Sequence, residues 1–280
     1  LTHILNIHSM HKIFYIIFAA AFTLSACQNT TTTQATTPEP TYQNKAHALV
    51  AQAVEKVGTY DQLRQLQDVS YTYTYRSSSG KEDITKEQYI FNGELSRAEF
   101  TKRELTAAQQ AGVLVQGFDG EKAWVSMDGE MMDDSVMNDR ALFSRKTNFY
   151  WFAMNQKLLD PGLNYQYLRL DTVDNQTYDV VEVSFGQDIG QAQDRYHLYI
   201  NQDTRLIDQF LFTVMAFERS EPLLMKVQYE TVDGITLPTY RKYTPATWEG
   251  EILKADSWAE EISKDVQFNQ GLKKEIFRGA

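Results

Sequence analysis

Histidines, cysteines and paired carboxylates supply most protein chemistry, and this chain holds few of them. Of its five histidines, His3, His8 and His11 lie close to the amino terminus, which leaves His47 and His197. Two such residues do not make a histidine-rich zinc site or suggest a Ser-His-Asp arrangement. His47 falls on an expected helix and His197 shares a strand face with Arg195 and Tyr199, so both are expected to be solvated or hydrogen-bonded. Neighbouring acids occur at Asp133-Asp134 and Glu260-Glu261. A glycosidase needs only two carboxylates, so a carboxylate-dependent hydrolase stays as a lesser reading beside that of solvated faces. Met127, Met131, Met132 and Met137 form a thioether-rich segment. Thioethers bind Cu(I), but no His or Cys lies nearby; a mobile apolar rim for a lipid or partner suits methionine's flexibility, and ordinary packing is the commonest role. No H-E-x-x-H, G-x-S-x-G, P-loop or Rossmann fingerprint occurs. A non-catalytic protein without cofactor or metal is expected.

The single cysteine, Cys27, closes the stretch Leu24-Ser25-Ala26-Cys27. Met10, Lys12 and an apolar run from Ile13 to Thr23 precede it, which is the layout of a secretory signal peptide. Leu-Ser-Ala-Cys resembles the bacterial lipoprotein box, which implies cleavage before Cys27 and lipidation of that residue. The apolar run to Ala26 is short for a membrane span, which wants about 20 residues. Residues 1–26 are read as an upstream extension and a removed signal, 27–44 as an acylated cysteine with a disordered Thr/Gln/Pro-rich tether, and 45–280 as a single domain. Gln28, and not Asp, follows the cysteine. By resemblance to enterobacterial lipoproteins, that implies retention in the outer membrane of a Gram-negative bacterium, facing the periplasm. The net charge of −10 excludes nucleic acid as a natural partner and disfavours docking flat on anionic lipid. The expected membrane link is therefore the acyl anchor, each buried methylene contributing about 0.8 kcal/mol.

These residues must be carried by a sheet. Aromatics make up 12% of the chain and favour a pleated, half-buried surface. Ala46, Leu49, Val50, Ala53, Val54 and Val57 recur at helical spacing before Gly58, predicting an amphipathic helix. The period then falls to two: Val69, Tyr71, Tyr73 and Tyr75 alternate with polar residues, predicting a strand. Further strands are expected at 88–91, 97–104, 113–118 and 122–126, then one or two helices over 141–159. Seven more strands are expected at 165–171, 178–185, 195–200, 206–212, 224–230, 236–243 and 252–259. Many antiparallel strands with a leading helix and central helices predict an α+β fold, a curved sheet enclosing those helices on its apolar face.

Three segments carry a resemblance. Gly117-Phe118-Asp119-Gly120 with Trp124-Val125, the strand pair from Tyr196 through Asn201 to Leu206, and Asp233-Gly234-Ile235-Thr236-Leu237-Pro238 resemble, in order, motifs of the outer-membrane lipoprotein-sorting family of LolA and LolB. The resemblance spans most of 46–260. It implies a strongly curved antiparallel half-barrel with helices as a lid over an apolar cavity, and as ligand a lipid or lipoprotein acyl chain. Under that implication Trp124, Phe143, Phe149, Trp151 and Phe152 are the expected lining residues. An envelope sensor or scaffold that binds a protein partner with the same fold is the alternative.

Overall fold

The computed structural model describes residues 41–186 and 193–279. The expected signal segment, Cys27 and most of the tether lie outside the described residues. Two helices come first, α1 (Lys45–Val57) and α2 (Tyr60–Gln65). Strands β1 (Asp68–Arg76), β2 (Glu82–Ile90), β3 (Leu95–Arg103), β4 (Leu114–Phe118), β5 (Ala123–Met127) and β6 (Glu130–Met131) follow as a meander. The long helix α3 (Ser135–Lys157) comes next. After it run β7 (Leu163–Val173), β8 (Gln176–Phe185), β9 (Arg195–Asn201), β10 (Ile207–Val214), β11 (Arg219–Val232), β12 (Ile235–Pro245) and β13 (Ala259–Phe268). All pair antiparallel in one curved, unclosed sheet of 13 strands, ordered 6-5-4-3-2-1-13-12-11-10-9-8-7. The expected α+β architecture is therefore the observed one.

Each helix is set by local chemistry. The Asn44 side chain accepts from His47 N at 3.0 Å and starts α1, while its amide donates to the Tyr165 carbonyl of β7 at 2.9 Å. The apolar stripe of α1 then packs on the concave face against Leu163, Val181, Leu198 and Met154. A reciprocal capping box between Thr59 and Gln62 starts α2, a helix too short for periodicity to reveal but signalled by that Thr-x-x-Gln spacing. Asp134 caps α3 by accepting from Met137 N at 3.0 Å. The expected helical stretch is thus one helix, and it begins inside the Met/Asp-rich segment.

The expected strand at 252–259 is not formed. Ile252 makes only an isolated bridge to Ala246, and the last strand is β13. That strand hides from periodicity because two of its inward positions are Glu261 and Ser263, opposite Tyr75 and Tyr73, and because its register with β1 shifts between Ser70 and Thr72.

Candidate ligand cavity

Because α3 leaves β6 at one edge of the sheet and delivers the chain to β7 at the other, it must cross the concave face. Its last turns, from Phe152 onward, fill that space. Phe152 packs among Tyr71, Phe91 and Phe268, and Ala153 and Met154 are buried beside it. Asn155 donates to the Tyr229 hydroxyl at 3.0 Å, and Gln156 donates to the Thr236 carbonyl at 3.3 Å. The middle of the helix, from Phe143 to Trp151, fits less closely. Around it lies a cavity of about 980 Å3, walled by Phe143, Phe149 and Trp151 of α3 and by strand residues including Phe118, Tyr196 and Phe212. That volume sits at the upper end of the range of about 300–1,000 Å3 for small-molecule sites.

Many polar groups of the wall already have partners. Tyr75 and Tyr243 share a hydrogen bond of 2.8 Å. Burial pushes the phenols of Tyr73, Tyr150, Tyr196 and Tyr243 far above the ordinary tyrosine range, so they stay protonated. Arg241 donates to the Trp151 carbonyl at 2.6 Å, forms an ion pair with Glu261 at 2.8 Å and lies over the Trp151 ring at 5.6 Å. Trp151 itself stacks on Phe210, their centroids 5.9 Å apart. A second buried pair fixes the middle of the helix: Arg145 donates to Glu87 at 2.5 and 3.2 Å. Two turns in from the start of α3 the Phe143 ring meets Phe217, the end of a short 3-10 turn at Met215–Phe217, at 5.0 Å.

Of the five aromatics expected to line a site, Phe143, Phe149 and Trp151 border this cavity. Phe152 is packed within the core. Trp124 stands on the opposite face of its strand: Val125 and Ala123 point inward, while the Trp124 indole covers Gly117 and donates to the Phe277 carbonyl at 2.7 Å. A Cβ at Gly117 would come within 2.2 Å of that ring, so the Gly/Trp spacing reflects close packing. The acidic pairs also come apart. Asp134 caps α3, and Asp133 is exposed. Glu260 faces outward to Arg76 and Tyr240, away from Glu261. Of the methionines, Met127, Met132 and Met137 pack around Leu114, Val125 and Ala141, and Met131 is exposed. His47 stacks on Tyr165, centroids 4.5 Å apart. His197 meets Glu182 at 3.0 Å.

Residues 40–235 match DUF6503, a family of unknown function. The chain belongs to that family. No curated protein sequence matches this DUF6503 chain. Among solved structures, it is similar to a LolA superfamily protein from Nitrosomonas europaea, with 16% identity, 83% of this chain and 97% of the other covered, and a TM-score of 0.50. A DUF1329 family protein from Desulfovibrio piger is also similar, at 15% identity, coverages of 83% and 97%, and a TM-score of 0.49. At such identity the first likeness concerns the fold, and the LolA-like half-barrel implied by the sequence motifs is the fold of this DUF6503 member.

The strand residues of the wall were harder to single out. Tyr73, Tyr75 and Phe212 each sit at alternate positions of a strand, and alternation marks them as inward-facing. It does not distinguish those pressed against α3 from those beside the unfilled space.

Proposed function

We propose that this protein binds an acyl chain or another elongated apolar ligand between the curved sheet and the middle of α3. It would do so as a lipoprotein anchored through Cys27 at the outer membrane, in lipid or lipoprotein handling. The observation that carries the reading is the cavity of about 980 Å3, whose aromatic walls have many of their polar groups already paired. Phe143, Phe149 and Trp151 are the proposed contacts. Each methylene moved from water onto such walls gains about 0.8 kcal/mol, so the affinity would come from chain length and shape. The fold shared with a LolA superfamily protein agrees with this role.

The test is direct. Protein carrying Cys27→Ser, which cannot be acylated, is purified without detergent, extracted with organic solvent and titrated with a fluorescent fatty acid. Bound lipid in the extract, or saturable uptake of the probe, is the expected outcome. Neither lipid nor uptake, together with a stable protein partner recovered from the envelope, would replace this reading with that of a sensor or scaffold.

A further inference from the structure

The cavity's charges are unevenly committed. Four carboxylates border it, Asp83, Glu94, Asp194 and Glu261, and each already has partners. Asp83 accepts from the backbone N–H groups of Glu104, Leu105 and Thr106 at 2.9–3.0 Å. Glu94 accepts from Lys157 at 2.7 Å, and Asp194 from Thr213 at 3.0 Å and Met215 N at 2.8 Å. Glu261 faces Arg241. Among the cations at the wall, Arg145 is committed to Glu87. Lys146 and Arg219 are not: neither has an acidic partner among the described residues, although acids outnumber bases 37 to 27 in the chain.

Their positions are related. Lys146 is exposed and lies one helical turn beyond Phe143; Arg219 is half-buried and lies two residues beyond Phe217. The Phe143–Phe217 contact joins the two segments that carry these cations, and both cations border the cavity while reaching solvent. Lys146 leans over the Phe118 ring at 5.3 Å. Two residues before Phe118, on the same strand face, Gln116 is 4% exposed, and its Oε1 has no hydrogen-bond partner. Rotation of that amide offers either a donor or an acceptor. From these observations we infer that the ligand is an amphiphile with an anionic head, held by Lys146 and Arg219 at the border of the cavity while its chain enters between α3 and the sheet. Gln116 supplies a neutral hydrogen bond on the same wall. The inference rests on the proposed binding of an apolar chain, and the shared chemistry is a carboxylate or phosphate on a hydrocarbon tail.

The experiment compares matched probes on the Cys27→Ser chain at about pH 8, where a free carboxyl is ionised. Dansyl-labelled undecanoic acid is set against its methyl ester, and fluorescent phosphatidylglycerol against fluorescent phosphatidylcholine. At least one anionic probe is expected to bind about tenfold or more tighter than its counterpart, the factor of a charge-assisted hydrogen bond. The pair showing the larger ratio tells a free fatty acid from a phospholipid. In K146M/R219L the preference is expected to vanish with ester affinity kept, and in K146R/R219K to persist. Equal binding within both pairs, or a preference that survives K146M/R219L, overturns the inference and leaves the apolar-ligand reading standing. If no probe binds at all, both fall.

Discussion

Glu87 is fully buried and accepts from Arg145, Asn148, Thr85 and Tyr89, so this carboxylate holds one helix and two side chains of its own strand in place. Removing the cation alone would leave a buried charge unpaired, which costs about 3–5 kcal/mol. Arg145→Met is therefore expected to lower the urea unfolding free energy by that amount, and Glu87→Gln added to it to restore a large part. The Glu182–His197 pair gives a pH prediction. Burial lowers the His197 imidazole against the opposing pull of Glu182; burial would raise Glu182, but hydrogen bonds from Arg195 and His197 hold it below its ordinary range. In both cases the unfolded chain takes the proton first. The stability from His197 is present above about pH 6.5, and that from Glu182 above about pH 4.3, each lost as pH falls through its folded value. The melting temperature is expected to fall on acidification from about pH 7, and His197→Gln to flatten the decline between about pH 7 and 5. None of these pairings was legible in the sequence. Glu87 sits between Lys86 and Gln88, just before the strand expected at 88–91, and reads like any polar residue, because what marks it is its register opposite Tyr71.

At the scale of elements, α3 lives in two environments. Its middle, residues 143–151, borders the cavity, whereas residues 152–156 are buried in the core. No single apolar stripe can serve both, which is why periodicity predicted helix here but not its start. Asp134→Ala removes the cap, a loss of about 1 kcal/mol, and is expected to speed amide hydrogen exchange over 137–143 while leaving 150–157 protected. Equal acceleration along the helix would contradict the division. By contrast, α1 was plain in the sequence, since its six spaced apolar residues are those it buries. The cavity aromatics were partly legible. Phe149 and Trp151 lie in an apolar run that must pack somewhere, but Trp124 looked equivalent and instead seals the convex face over Gly117.

At the scale of the molecule, the chain lays down one half of the sheet outward from β1, crosses on α3, and returns inward to β13. Every strand pair but one joins neighbours in sequence; the exception is β1 with β13, where Val69 faces Phe268. The curved antiparallel sheet was legible because most hairpins announce themselves. The seam was not, since polar inward residues of β13 answer the polar side of the cavity.

The crossing helix has a mechanical consequence. Three residues separate β6 from α3, and five separate α3 from β7, so the helix is strung between the two rims of the sheet like a cord across a bow. Both of its ends are thus tied closely to the sheet. To admit a bulkier guest, the sheet must flex and carry its rims apart, and the helix must follow under tension. Loading would then be governed by the stiffness of thirteen hydrogen-bonded strands.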